Sequence, residues 1–226
     1  MSIPRPKQAS DLAAVSAALD AATPHDRLAW CRSLGRSDLY ALYALARGSP
    51  VTVRDLVDAD GGPTVWEGKN GVGLFSRFKK VFANLDGEVV GYNDNRGAAG
   101  PLTPIYLRIV GYGHYVAYDA ADFPEVLIDY RRAPARGHPE FPPLADNRHG
   151  LRSLVFGNMV DTLRRVTDDV FIGDATKKLP AGRELTWGER IGSALPTAPF
   201  VLCRPLAVAL TAIPIGLPAA GVAAAT

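Results

Sequence analysis

Five side chains able to carry charge or exchange a proton fall at even-numbered positions of one short stretch: Tyr106, Arg108, Tyr112, His114 and Tyr118. Successive side chains of an extended chain point to opposite faces, so these five share a face. A histidine beside phenols and a guanidinium can polarise a carbonyl or pass a proton near neutral pH. His114, Tyr112 and Arg108 are therefore the candidate catalytic residues, and Tyr92, Tyr106, Tyr118 and Trp66 the candidate substrate contacts. The competing reading of that face is a solvated or water-bridged sheet surface. The opposite face, with Ile105, Leu107, Ile109, Tyr115 and Ala117, reads as packed core.

Other kinds of site fail on spacing. His25, His114, His138 and His149 show no zinc-type pattern. No GxSxG, P-loop or dinucleotide fingerprint occurs, and the glycines around Lys69 lack the Walker order with no helix to follow. A haem would need one histidine in a barrel mouth, and His114 is the residue that could serve. No motif calls for a cofactor or a metal. Asp129, on the next strand, is expected to pair with an arginine.

Composition narrows the partners. The chain has 226 residues, of which 47% are hydrophobic, and a formal net charge of +2 with no basic stripe, which argues against nucleic acid. Cys31 and Cys203 form no CxxC or Cys/His spacing, so a reducing interior is expected, with a disulfide between them as the alternative. Met1 to Ala9 has no apolar run, which points to the cytoplasm. Leu206 to Thr226 is uncharged and apolar, but Pro214, Gly216 and Pro218 interrupt it. That tail is expected to pack on the body rather than span a membrane. Nothing in the sequence indicates an oligomeric state.

Residues 1–58 read as a helical cap. Ser10 can cap a helix carrying Leu12, Val15, Leu19 and Ala22, and Thr23-Pro24 with Asp26 starts a second. A third begins near Ser37 and closes at Gly48, and Thr52 to Val57 adds a turn. From Gly61 the texture becomes β: strands are predicted at Thr64 to Lys69, Phe75 to Ala83, Glu88 to Tyr92, Ile105 to Ala117 and Val126 to Arg131. Asp86-Gly87 is a hairpin turn, and Gly111 and Gly113 mark a bulge or bend. After a loop over 132–148, closing strands are predicted at Ser153 to Phe156, which could also begin a helix, at Leu163 to Val166, at Val170 to Asp174 and at Phe200 to Arg204. Antiparallel strands without crossover helices imply a mainly β protein, an antiparallel barrel over residues 59–205.

Trp66-Glu67-Gly68-Lys69 resembles the WxGK core of bacterial proteins of unknown function named for a GxWxGK motif. The likeness continues through Gly87 to Val90, the Tyr-rich strand, Leu127 to Tyr130, Met159 to Val166, Val170 to Gly173 and Phe200 to Leu202. It implies a lipocalin-like, or calycin-like, barrel over residues 66–204. In such barrels a tryptophan near the start of the first strand is met by a basic side chain from a late strand, which here would be Arg164 or Arg204.

A small barrel can hold one compact ligand. The functional expectation is a small-molecule-binding β-barrel for an apolar metabolite such as a polyketide, terpenoid or lipid, acting as a cofactor-independent cyclase or isomerase by orienting its substrate. The alternatives are a non-catalytic intracellular carrier and a structural, partner-binding protein. A polar cluster facing into the cavity favours the enzyme, a uniformly apolar cavity the carrier, and a filled barrel the structural role.

Overall fold

Eight antiparallel strands follow one another around a closed barrel, each paired with the next: β1 (Thr64–Asn70), β2 (Arg77–Leu85), β3 (Glu88–Asp94), β4 (Gly113–Asp119), β5 (Val126–Asp129), β6 (Met159–Thr167), β7 (Val170–Lys177) and β8 (Pro199–Cys203). The last returns to the first, with Gly68 opposite Leu202 and Asn70 opposite Phe200. The computed structural model describes residues 2–71, 76–95, 111–150, 152–177 and 198–205. The fold is thus the mainly β antiparallel barrel that the alternation predicts. Closure leaves no sheet edge, which removes the template for edge-to-edge aggregation.

Strand alternation sorts the side chains. Trp66, Phe78, Phe82, Val89, Tyr115, Ile128, Leu163, Phe171 and Leu202 point inward and form one buried cluster. Large rings need small neighbours: a Cβ on Gly91 would overlap the Tyr115 ring and the Val81 carbonyl, and one on Gly68 would overlap the Phe78 ring. The β2–β3 hairpin turns at Asp86 and Gly87, whose φ values of 55° and 89° suit a tight two-residue turn.

Three helices cover one outer wall: α1 (Leu12–Asp20), α2 (Pro24–Ser33) and α3 (Arg36–Leu45). Val15, Leu19, Cys31, Leu39 and Leu42 bury against the outward residues Val166, Val170, Ile172, Val201 and Cys203 of β6, β7 and β8. Polar contacts fix their seating. Ser16 donates to the Val166 carbonyl at 2.7 Å, Arg27 pairs with Asp169 in the β6–β7 turn, and Arg164 reaches both Glu125 at 2.9 Å and the Tyr43 carbonyl at 2.7 Å. Thr23 caps α2 as expected, whereas Asp11 rather than Ser10 caps α1, because its carboxylate accepts the Ala14 N–H while Ser10 donates to that carboxylate. The turn expected over 52–57 is a 3-10 turn at Val53–Leu56, and it does more than extend the cap, since Leu56 belongs to the barrel's interior cluster.

Of the two readings of Ser153 to Phe156, the helical one holds: a short turn, α4 (Arg152–Phe156), lays the Phe156 ring parallel to Tyr130 at 5.5 Å. Among the described residues the ladder of the Tyr-rich strand on β3 runs from Gly113 to Ala117, and Gly111 has φ of 68°; residues 105–110 of the predicted strand and the tail 206–226 lie outside the described residues.

Candidate functional site

The alternation that puts Phe78 and Phe82 inside also carries Lys80 inside, and on β6 it carries Asp161 inside between Met159 and Leu163. They meet across the barrel. Lys80 Nζ donates to Asp161 Oδ2 at 2.7 Å, to Asn93 Oδ1 at 3.3 Å and to the Tyr130 hydroxyl, and both charged side chains are 2% exposed. The ammonium also lies 4.9 to 5.7 Å from the ring centroids of Phe78, Tyr115, Tyr130 and Phe200, within cation–π range. Burial pushes the Lys80 amine below its ordinary range, against the pull of Asp161, and pushes the Asp161 carboxyl above its own, against the pull of Lys80.

Above this cluster lies a cavity of about 280 Å³. Phe78, Phe156, Met159, Ala175, Ala198 and Phe200 supply its apolar walls, and Asn70, Asn93, Asn95, Lys80, Tyr130 and Asp161 its polar spots. Phe78 and Phe200 meet edge to face at 5.7 Å, so their rings are held rather than free to fill the space. Asp161 Oδ1 is buried and has no hydrogen-bond partner among the described residues.

The residues proposed from sequence fall elsewhere. Tyr92 and His114 belong to the outward face of β3 and β4, opposite to the one that carries Asn93 and Tyr115. This corrects the inward assignment of that face. The His114 ring is 1% exposed because the loop over 131–149 covers it: Nε2 contacts the Pro143 carbonyl at 3.2 Å, Phe141 packs on Tyr92 at 4.9 Å, and Asn147 donates to the carbonyls of His114 and Tyr130. Tyr112 stacks edge-on against Tyr92 at 5.5 Å. Tyr118 donates to Asp129, which also pairs with Arg131 at 2.8 Å. Catalytic candidates His114 and Tyr112 thus secure a loop on the outer wall, and so do the contacts Tyr92 and Tyr118 secure outer neighbours; Tyr106 and Arg108 lie outside the described residues.

Trp66 is inside the barrel yet not at the cavity. Its ring packs on Phe171 at 4.8 Å, its Nε1–H donates to the Leu56 carbonyl at 3.0 Å, and the Arg204 guanidinium lies 4.9 Å above it. Of the two arginines considered, Arg204 is the one over the ring, while Arg164 sits 3.8 Å from the Tyr43 ring on the outer wall.

Strand periodicity carried a signal for the Lys80–Asp161 cluster. Lys80 is a lone charge between Phe78 and Phe82 on an apolar face, and Asp161 is the matching charge between Met159 and Leu163. Two opposite charges on inward faces of a closed barrel must find each other or remain uncompensated. Among the described residues no group of His, Cys, Asp and Glu could hold a metal, and no helix is long and apolar enough to cross a membrane. Comparison with protein-family models, curated proteins and solved structures returns no match.

Proposed function

We propose that the barrel binds a compact, largely apolar metabolite in its interior, with the Lys80, Asp161 and Tyr130 cluster at the polar end of the ligand. The carrying observation is the cavity of about 280 Å³ with aromatic walls and a fully buried ion pair on one side. Its size sets the ligand class. An apolar cavity of about 150 Å³ takes a benzene-sized molecule, so this one suits on the order of a dozen heavy atoms. A monoterpenoid or a small polyketide-like ring fits such a space, and a long acyl chain does not.

A second reading, cofactor-independent isomerisation or cyclisation, is favoured by the inward polar cluster itself. A carrier needs only apolar walls, whereas this site buries an amine and a carboxyl whose proton affinities burial draws toward one another. Such a buried, hydrogen-bonded amine and carboxyl can exchange a proton with a substrate group placed beside them, and the aromatic walls hold a substrate in one conformation.

Native mass spectrometry of the purified full-length chain tests the binding reading. A co-purifying adduct of roughly 130 to 250 Da is expected from a cavity of this size. An empty protein that also fails to take up any compact apolar compound would overturn it. Turnover is then tested by incubating the released compound with the parent and with Asp161→Asn.

A further inference from the structure

Positive charge gathers on one outer strip of the barrel. The alternation that sends Gly68 and Phe78 inward sends Glu67, Lys69, Arg77 and Lys79 outward, and the β1–β2 register sets Lys69 opposite Arg77. Like charges facing each other across a ladder destabilise it. Neither has an acidic partner among the described residues: Lys69 Nζ donates to the Asn70 carbonyl at 2.7 Å, and Arg77 is exposed. Partial burial first, and the Arg77 charge next, draw the Lys69 amine below its usual range.

The helices widen the strip. Arg32 of α2 and Lys79 share the carboxylate of Glu67, at 3.4 and 3.2 Å, and are 41% and 45% exposed. Arg36, which opens α3, lies against Gly71, where an added Cβ would meet its Cγ at 3.0 Å. Its guanidinium bonds only to the Tyr40 hydroxyl among the described residues. Asp94, opposite Lys79 on β3, is the second acid here and is 4% exposed. Five cations thus stand with two carboxylates, on a chain whose whole formal excess is +2. No run of basic residues in the sequence marks this strip; strand pairing assembles it.

We propose that the strip seats the protein on an anionic lipid bilayer, its cations against the phosphate headgroups. A protein partner needs an apolar core within its interface, and the strip offers none: among the described residues the exposed large apolar side chain is Leu144, on the 131–149 loop. A nucleic acid is the other diffuse anion, and the cavity favours lipid over it. Asn70 and Phe78, the chain neighbours of Lys69 and Arg77, line that cavity, so docking brings it to the phase in which an apolar compound dissolves. This choice rests on the cavity being the ligand site, but vesicle binding is measured without a ligand, so the two readings can fail separately.

Co-sedimentation of the full-length chain with vesicles tests the proposal, using phosphatidylcholine alone and an equal mixture with phosphatidylglycerol. Binding is expected to the mixed vesicles only, at about 0.1 M salt, and should be lost at about 1 M, where the screening length falls from about 10 Å to about 3 Å. Each cation near such a surface strengthens binding about five-fold, so Lys69→Gln/Arg77→Gln should weaken it about 25-fold. Arg54→Gln/Arg136→Gln removes the same charge from the opposite end of the barrel and should change binding by less than about three-fold. No binding to the mixed vesicles, equal binding to both kinds, an unaffected Lys69→Gln/Arg77→Gln or an equal loss in Arg54→Gln/Arg136→Gln would overturn the proposal. Tighter binding to duplex DNA than to mixed vesicles at equal phosphate concentration would overturn it too, in favour of a nucleic-acid face. The two vesicle compositions decide on the parent protein even if a variant does not fold.

Discussion

Lys80 on β2 and Asp161 on β6 meet at 2.7 Å across the barrel interior, although neither strand pairs with the other. The contact therefore depends on closure of the barrel. Removing one partner strands a buried charge, so Lys80→Met or Asp161→Leu alone should cost about 3 to 5 kcal/mol, whereas the double variant should match the parent or exceed it by about 1 to 4 kcal/mol. The pH dependence has a definite sign. A lowered amine pKa adds stability only above the ordinary value of 10.5 and loses it as pH falls through the folded value; a raised carboxyl pKa adds stability below 3.8 and loses it as pH rises through the folded value. Between 3.8 and 10.5 both shifts act against folding, so urea unfolding should show the largest gain from the double variant near neutral pH. A double variant weaker than either single one would refute this account.

Trp66 closes the far end of the same interior. Its ring is fully buried between Phe171, Leu56 and the Arg204 guanidinium. Trp66→Ala should lower unfolding free energy by about 3 to 5 kcal/mol, and Arg204→Met by about 0.5 to 2 kcal/mol through the lost cation–π contact. Chemical denaturation measures both, and an unchanged midpoint for Trp66→Ala would show that the ring carries no structural load.

His114 should make the outer loop sensitive to acid. Burial lowers its pKa from the ordinary 6.5, against the opposing hydrogen bond to the Pro143 carbonyl. A lowered histidine pKa contributes stability that is present above 6.5 and is lost as pH falls through the folded value. The melting temperature should therefore drop as pH falls below 6.5, and the drop should be smaller in His114→Gln, which can bond to Pro143 but does not titrate. Because His114 faces away from the cavity, the same variant should leave any co-purifying adduct seen by native mass spectrometry unchanged.

Cys31 and Cys203 are free thiols buried between α2 and β8, 2% and 0% exposed. Burial first, and the neighbouring Cys203 next, push the Cys31 thiol well above its usual range. Ellman's reagent at pH 8 should leave both unmodified in the native protein and titrate both in denaturant. Fast native labelling of either would mean that the helical wall opens readily.

The sequence alone determined the barrel, because the period-two alternation of the Tyr-rich strand, the short runs rich in Val, Ile and Phe, and the Asp86-Gly87 turn are local properties of the chain. It likewise determined that Tyr115 and Ala117 share a packed face, and that Thr23 and Pro24 start a helix. What it left open was which of two amphipathic faces becomes the interior when both carry rings. On β4 the choice is made by Gly91 and Gly113, which free the space that Tyr115 and Phe156 occupy, and by the 131–149 loop, which buries Tyr92 and His114 from outside. These contacts join residues distant in sequence, so no local pattern encodes them. The pairing of Lys80 with Asp161 was undetermined for the same reason: each is visible as a charge on an apolar strand face, and only the closed sheet brings the two within hydrogen-bond reach.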